Sequence, residues 1–546
     1  MSDQIEWWRG GVIYQIYPRS FMDANGDGIG DLKGITQKLD YVADLGVDGI
    51  WISPFFKSPM KDFGYDVADY REVDPMFGCL NDFKELLDKA HSLNLKVMID
   101  QVWSHSSNEH EWFIESRESA NNAKSDWYIW AEAKPDGTPP NNWLSYFGGP
   151  AWTWDTKRKQ YYLHHFLREQ PALNIWNTDV RAELIDTARF WFDMGVDGFR
   201  LDAMHQYLAD PLLRDNPART DGSTPSDLPP ENPLSMQSRT NSANHAGTIE
   251  WLNIIREISD EYQDRALMAE VGGEDAAQVA ANYVQASDRF HFAYTFDLFS
   301  CSYNKSDMEA LFKNTEEVIG TGWLCWSNSN HDVQRVASRW YPGQGNQSDF
   351  NYQASILPMS MRGSYCMYQG EELGFKETDV PFEKMQDPYG IEFYPEFKGR
   401  DGCRTPMAWD HTEHGGFSAV DADGNLPEPW LPLSQQHIED NVSWQKEHEG
   451  SIYYRMKKYI AWRKKEPAMR TGAVELIESG EENILAFVRS EGDDHIMCVF
   501  NFSYEEKIMD QKLLKDGQKL IENISSAVKV EGDQITLMPF AVALFK

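Results

Sequence analysis

The sequence is poor in positive charge, and it has no long apolar run. Lys and Arg number 51 against 86 Asp and Glu, which gives a formal net charge of −35 over 546 residues. Nucleic acids, phosphate-rich ligands and anionic membranes are bound through positive potential, so none of them is an expected partner. No segment reaches the ~18 apolar residues that a membrane helix needs. The composition favours a small neutral substrate instead.

Cysteine is also scarce. The six cysteines are scattered, with no CxxC and no His/Cys spacing of a zinc site. Positions 1–9 contain neither the basic nor the apolar segment of a signal peptide. We therefore expect reduced thiols and a cytoplasmic location. The glycine patterns of P-loop and dinucleotide-binding proteins are missing as well.

Aromatic residues are abundant by contrast. They make up 13% of the chain, and 20 of them are Trp. Most will lie in cores, but aromatic faces also stack on sugar rings. A chain of this length exceeds what one hydrophobic core usually supports, so two or three domains are expected.

The most informative stretch is Gly195-Val-Asp-Gly-Phe-Arg-Leu-Asp202, which follows a helical segment at 180–194. The order of helix, glycine turn and apolar strand is the repeat of a parallel α/β barrel. This strand ends in a carboxylate, and Arg200 points to the same face as Asp202 and can keep it ionised. Two interpretations are open: a buried structural ion pair, or a nucleophilic carboxylate at the carboxyl end of a barrel strand.

The same rhythm predicts eight strands, at 11–18, 49–52, 95–100, 196–202, 266–270, 292–296, 323–328 and 364–369. We therefore predict an α/β fold, a (β/α)8 TIM barrel with an inserted small domain after the third strand and a C-terminal antiparallel β-domain. The predicted barrel covers 1–104 and 175–470, with an irregular insert at about 203–247. The inserted domain covers 105–174, and a C-terminal β-sandwich covers 471–546.

Acidic side chains end several of the predicted strands. They are Asp100, Asp202, Glu270 and Asp332, and His105, Arg200 and His331 lie beside them. Each alone suits a helix cap or a structural pair, but four carboxylates on one rim are costly for folding and indicate function.

Paired carboxylates with aromatic platforms cleave glycosidic bonds. Asp202, held ionised by Arg200, would attack, and Glu270, with no basic neighbour in sequence, would keep its proton and act as general acid and then base. Asp332 would bind ring hydroxyls. Carboxylates ~5–5.5 Å apart would retain configuration, and ~6.5–9.5 Å would invert it.

An acidic, glycine-rich loop follows the first strand. Asp23, Asn25, Asp27 and Asp31, with the carbonyl of Ile29, place oxygen atoms at alternate positions, as a loop around Ca²⁺ or Mg²⁺ does. The alternative is an acidic turn without metal. Because clustered carboxylates repel each other, the pattern favours a structural divalent cation.

These residues together resemble the α-amylase family of glycoside hydrolases (family 13) along essentially the whole chain. The resemblance is carried by Asp100-Gln-Val-Trp-Ser-His105, Gly198-Phe-Arg-Leu-Asp202, Glu270 and Asn330-His-Asp332. Three further motifs are similar to the oligo-1,6-glucosidase and α-glucosidase branch: Gly64-Tyr-Asp66, Gln170-Pro-Ala-Leu-Asn174 and Arg404-Thr-Pro-Met407.

The resemblance implies roles for individual residues. Asp202 would be the nucleophile, Glu270 the acid/base and Asp332 the stabiliser of the transition state. The non-reducing glucose would be bound by Asp66, His105, Arg200, His331 and Arg404, with Tyr65 and Phe166 stacking on it. The loop 23–31 resembles the metal loop of the branch. Two positions depart from the family pattern, Ser104 where Asn is usual and Ala269 where Gly often precedes the acid, and both concern the fine geometry.

The expected activity is that of an exo-acting α-glucosidase on maltose-like sugars. In this branch the residue after the nucleophile tracks linkage, Val with α-1,6 and Ala or Thr with α-1,4, so Ala203 favours α-1,4 bonds. A transglucosylase or an oligo-1,6-glucosidase would use the same pocket, and an inactive scaffold or transporter-subunit relative is a remote alternative. We expect a monomer or a weak homo-oligomer.

Overall fold

The computed structural model describes residues 5–220, 222, 225–515, 517–532 and 534–546. Its centre is a closed barrel in which each strand pairs in parallel with its two neighbours in sequence, and the last strand pairs with the first. This confirms the predicted barrel. The strands are β1 (Val12–Ile16), β2 (Gly49–Ile52), β3 (Lys96–Gln101), β4 (Gly198–Leu201), β5 (Ala266–Val271), β6 (Phe292–Thr295), β7 (Leu324–Trp326) and β8 (Ser364–Tyr368).

At least one helix follows each strand, and the longest helix after each strand packs around the barrel. Polar side chains begin most of them: Asp31, for example, accepts a hydrogen bond from the Gly34 N–H and so caps the first helix. Gly46 and Gly195 end two helices with positive φ, where a side chain would be strained. The helices are α1 (Leu32–Leu45), α2 (Leu80–Ser92), α3 (Thr178–Met194), α4 (Thr248–Asp260), α5 (Ala276–Val284), α6 (Lys305–Ile319), α7 (Gln347–Ser360) and α8 (Ile452–Arg463).

The strands are buried on both faces, which is why they are apolar without alternation. Side chains that point into the barrel form their own cluster, which includes Trp51, Met98, Met268, Phe292 and Tyr294. The barrel is therefore a packed core and not a channel, and a ligand can reach it only at the strand ends. No helix of the described residues is long and apolar enough to cross a membrane.

Long irregular segments interrupt the repeat after several strands, including β3 and β4. The segment after β3 holds a helix, Glu111–Ser116, and a small antiparallel sheet of Trp130–Ala131, Gln160–Leu163 and Trp152–Asp155. The segment after β4 contains two short 3₁₀ turns, Met204–Gln206 and Pro233–Met236. Both segments follow carboxyl ends of strands, so they build the walls over the barrel mouth.

The chain ends in an antiparallel β-domain, as predicted. Its strands are hydrogen-bonded into one six-stranded sheet, in which the last strand bends at Phe540 and pairs through its two halves with different neighbours. One face of the sheet packs on the barrel, and the other closes over its own apolar cluster. The strands are β9 (Ala473–Ile477), β10 (Ile484–Glu491), β11 (Asp494–Asn501), β12 (Lys507–Asp510), β13 (Ser526–Glu531) and β14 (Gln534–Phe545).

Candidate active site

A cavity of about 1200 Å³ opens at the carboxyl ends of the barrel strands. Parallel strands deliver their terminal side chains to one rim, so residues far apart in sequence meet there. Six of the ten residues predicted to be catalytic or sugar-binding line this cavity: Tyr65, His105, Phe166, Asp202, Glu270 and Asp332. The other four, Asp66, Arg200, His331 and Arg404, lie behind its surface.

Arg200 is the centre of the charge network. Its Nη1 lies 2.6 Å from an oxygen of Asp100 and 2.5 Å from an oxygen of Asp202, and its Nη2 donates to Glu270. The side chain is fully buried and lies over the ring of Trp51. The expected pairing of Arg200 with Asp202 is therefore present, but it is not exclusive, because one guanidinium serves three carboxylates.

This sharing changes the expected ionisation. Burial raises the pKa of Asp202, and the negative charges of Glu270 and Asp100 raise it further, against the lowering effect of Arg200. Burial likewise raises the pKa of Glu270 to about 7, although Arg200 acts to lower it. Arg200 therefore pairs with Asp202 as expected, but the same guanidinium also pairs with Asp100 and Glu270, so the ionisation of Asp202 depends on all three carboxyl groups.

Asp332 has the opposite environment. Burial would raise its pKa, but the positive groups around it, including Arg400 and Arg404, hold it below the ordinary range of a carboxyl. Arg404 Nη2 lies 2.9 Å and Arg400 Nη1 3.2 Å from its Oδ1, and His331 Nε2 lies 3.2 Å from its Oδ2. Asp332 is thus a fixed anion beside Asp202 and Glu270, whose pKa values burial raises.

Asp66 and Arg404, like Arg200 and His331, do not line the cavity, and their expected contacts with sugar stay predictions. Asp66 accepts hydrogen bonds from the Lys61 and Asp62 N–H groups and from Ser58 Oγ. It is buried and organises its own loop. Arg404 is fully buried as well, and its Nε donates to the His331 carbonyl. Both residues support the wall of the cavity from behind.

Asp62 and Arg400 occupy the cavity wall instead, and sequence reasoning missed both. Arg400 Nη2 lies 2.8 Å from Asp62 Oδ1 and 2.7 Å from Asp387 Oδ1. The Met60 and Phe63 backbones have positive φ in the loop that carries Asp62. The sequence contains only a weak indication of these two residues, since each stands four positions before a residue that the motifs selected. Both lie in loops, and strand patterns do not locate loop residues.

His105, Tyr65 and Phe166 form the aromatic part of the wall. Phe166 packs 5.2 Å from the ring of His105, and Tyr65 is stacked on His331 at 5.2 Å. The Tyr65 hydroxyl lies 2.6 Å from His331 Nε2. Burial lowers the pKa of His105 to about 4, so its imidazole is neutral and bonds to uncharged groups.

The structure shows where the two residues that depart from the family pattern, Ser104 and Ala269, lie. Ser104 Oγ lies 2.9 Å from His105 Nδ1 and so helps to orient that imidazole. Ala269 is fully buried, and its side chain belongs to the apolar cluster outside the barrel interior. Neither residue lines the cavity.

The acidic loop after β1 is stabilised by its own backbone. Asp23 Oδ1 accepts from the Gly26 N–H at 2.7 Å, and Asp31 Oδ2 accepts from the Ala24 N–H at 2.9 Å. Asn25 and Asp27 are exposed. No three His, Cys, Asp or Glu side chains of the described residues converge as metal ligands. A cation held here would therefore also need the Asn25 amide oxygen and the Ile29 carbonyl, which are suitable donors for a hard ion.

Comparisons with known proteins agree along the whole chain. Residues 15–472 match the family model of the alpha amylase catalytic domain, and residues 474–544 match the maltogenic amylase C-terminal domain. A probable alpha-glucosidase of Rhizobium meliloti (strain 1021) is 48% identical over 506 residues, covering 92% of this chain and 90% of that protein. An oligo-1,6-glucosidase of Bacillus cereus is 34% identical, covering 99% of each chain. The crystal structure of the alpha-glucosyl transfer enzyme XgtA superimposes with a TM-score of 0.95 at 45% identity, covering 99% of both chains.

Proposed function

This chain belongs to the α-amylase family and is a glycoside hydrolase of the α-glucosidase type, and we propose that it releases glucose from the non-reducing end of short α-1,4-glucosides. The observation that carries the proposal is the bridging of Asp202 and Glu270 by Arg200. Because one guanidinium reaches both carboxyl groups, they lie close enough to flank one glycosidic bond. The family to which the chain belongs is expected to retain configuration, which requires the two carboxyl groups to stand ~5–5.5 Å apart.

Each of the three carboxyl groups has a role in this proposal. Asp202 attacks the anomeric carbon once a proton lies on Glu270, and a covalent glucosyl–Asp202 intermediate forms. Glu270 protonates the leaving oxygen and then removes a proton from the attacking water. Asp332 stays ionised, accepts hydrogen bonds from ring hydroxyls and stabilises positive charge in the oxocarbenium-like transition state.

Asp62 and Arg400 support the exo-acting part of the proposal. They place opposite charges on the cavity wall, where hydroxyls of a terminal glucose can both donate and accept. Tyr65 and Phe166 offer aromatic faces to the ring. We propose that a monomer or weak homo-oligomer is active, and the free thiols fit a reducing cytoplasm.

The preference for α-1,4 bonds rests on Ala203. Its backbone is left-handed, with φ 42°, and its N–H lies 2.6 Å from Glu270 Oε2. The side chain lines the cavity beside the acid/base. Residue 203 therefore acts on linkage in two ways, through the space its side chain leaves and through the position of Glu270.

We expect the change Ala203→Val to lower kcat/KM for maltose relative to isomaltose roughly tenfold, since one or two methyl groups in a pocket are worth ~1–3 kcal/mol. A β-branched side chain is also strained in the left-handed region. Ala203→Gly, which tolerates this backbone, should keep the preference for maltose. An unchanged maltose-to-isomaltose ratio in the valine variant would contradict the assignment of linkage to this position.

A transglucosylase is the second candidate, favoured by the likeness to an alpha-glucosyl transfer enzyme at 45% identity. It differs only in whether water or a sugar accepts the glucosyl group. Time-resolved products from maltose, isomaltose, sucrose, trehalose and starch test both candidates. Free glucose as the main product at high maltose supports hydrolysis, whereas mainly longer oligosaccharides would establish transfer.

We also propose that the loop of Asp23, Asn25, Asp27, Ile29 and Asp31 binds one Ca²⁺ or Mg²⁺ as a structural ion. Asp31 caps α1, so the ion would couple the loop to the first barrel helix. When bound, the ion supplies charge neutralisation and rigidity.

Chelation is expected to lower Tm reversibly, because an ion present at 100 times its Kd stabilises the folded state by about 2.7 kcal/mol. Asp27→Ala should abolish the shift, and Asp421→Ala, in the neighbouring exposed turn, should keep it. The proposed ion would be contradicted if elemental analysis found no stoichiometric metal and EDTA left Tm unchanged.

A further inference from the structure

Several carboxylates of the cavity wall lie outside the charge network around the reacting bond, and Glu377 is one of them. Glu377, in the loop after β8, lines the cavity together with Arg339 and Gly402. No hydrogen bond or ion pair of the described residues joins it to Asp202 or Glu270. It therefore shares the cavity with those two groups but stands outside the Arg200 network that serves them.

The two oxygens of Glu377 have different surroundings. Oε2 accepts a hydrogen bond from the Arg335 N–H at 2.8 Å, at the start of the short helix Val336–Arg339. No group of the described residues donates to Oε1. A Cβ on Gly402 would lie only 2.3 Å from Oε1, so the glycine makes room for this carboxylate at the wall. One oxygen thus anchors the loop and the other is available to a ligand.

Arg339 lies on the same wall without forming an ion pair with Glu377 among the described residues. Its Nη2 donates to the Asn328 carbonyl at 2.5 Å. Burial lowers its pKa to about 10, and the charge of Glu377 counteracts this, so the two groups interact through space. Their opposite charges place an acceptor and a donor on the same wall.

We propose that Glu377 is a specificity-determining residue that binds hydroxyl groups of the leaving sugar, with Arg339 beside it. This inference rests on the proposed function and deepens it, because it gives the enzyme a reason to prefer disaccharides over glucosides with a small apolar aglycone. A carboxylate accepts strong hydrogen bonds from sugar hydroxyls, and a partly enclosed site strengthens them.

The test compares maltose with methyl α-glucoside. Both leaving groups are alcohols that need the same protonation, but only maltose presents sugar hydroxyls. Glu377→Gln keeps an oxygen for the Arg335 N–H and removes the charge, and we expect it to lower kcat/KM for maltose roughly tenfold. Methyl α-glucoside should change less than twofold. Glu383→Gln, an exposed carboxylate of the same loop that does not line the cavity, should leave the ratio unchanged.

The pH dependence of the substrate preference is a second test, because a purely structural role of Glu377 would not change it. Burial raises the pKa of Glu377 to about 7, against the lowering effects of Arg335 and Arg339, while the nearby Cys403 thiol stays neutral. In the wild type, the ratio of kcat/KM for maltose to that for methyl α-glucoside should therefore rise as the pH increases through about 7. It should be flat in Glu377→Gln.

The outcomes separate the two levels of the proposal. Equal losses on both substrates in Glu377→Gln, or a wild-type ratio independent of pH, would overturn the role of Glu377. If the variant does not fold, the wild-type ratio alone decides. No cleavage of either substrate or of p-nitrophenyl α-glucoside by the wild type would instead overturn the proposed function.

Discussion

Replacing Asp202 with asparagine is expected to reduce kcat by about four orders of magnitude or more, because an amide cannot form the covalent glucosyl intermediate. The substitution removes one of the three carboxyl groups around Arg200, so the fold should survive. Asp100 and Glu270 still pair with the guanidinium. The measurement is kcat on maltose and on p-nitrophenyl α-glucoside, with Tm as the check on folding.

Two observations sharpen this experiment. Asp186→Asn, a change of the same kind on the exposed face of α3, should keep kcat within twofold. A wild type that turns over and an Asp202→Asn variant that does not would together exclude the inactive scaffold. Wild-type rates in Asp202→Asn would show that another group is the nucleophile, and the interpretation of the Arg200 network would then fail.

Replacing Glu270 with glutamine is expected to reduce kcat/KM for maltose by about 10²–10⁴, the usual contribution of a general acid. The loss should be smaller for p-nitrophenyl α-glucoside, whose leaving group needs little protonation. Glu250→Gln, an exposed carboxylate on α4 that is paired with Arg181, is the matched control. Equal losses on both substrates would assign Glu270 to binding and not to proton transfer.

The pH dependence gives an independent check on the same residue. Burial raises the pKa of Glu270 to about 7. A general acid works in its protonated form, so kcat/KM for maltose should fall as the pH rises through about 7. This alkaline limb should disappear in Glu270→Gln, because the amide does not titrate. An alkaline limb that persists unchanged in the variant would have to come from another group.

Strand-end residues were predictable and loop residues were not. Asp202, Glu270 and Asp332 follow apolar strands in a repeating pattern, and a barrel brings all such ends to one rim. Asp62 and Arg400 sit in loops, where position depends on packing. The motif selected Asp66, yet its carboxylate accepts hydrogen bonds from N–H groups of its own loop. The same limit applied to Glu377, which no strand pattern selects.

The ionisation states of the carboxyl groups at the site could not be predicted from the sequence either. The sequence suggested that Arg200 pairs with Asp202, because residues two apart in a strand point to the same face. In the barrel, β3, β4 and β5 pair side by side, and this pairing brings Asp100 and Glu270 to the same guanidinium. The protonation states of Asp100, Asp202 and Glu270 therefore depend on how these three strands pack together. The sequence of any one strand does not show them.

The sequence by itself determined the barrel, the family and the three carboxylates, because hydrophobic periodicity and strand ends are local properties. Only the tertiary structure decided which side chains face the cavity, which support it from behind, and how the carboxyl groups are ionised. Those properties depend on distances between separate loops and strands, and on burial, which exist only once the chain is folded.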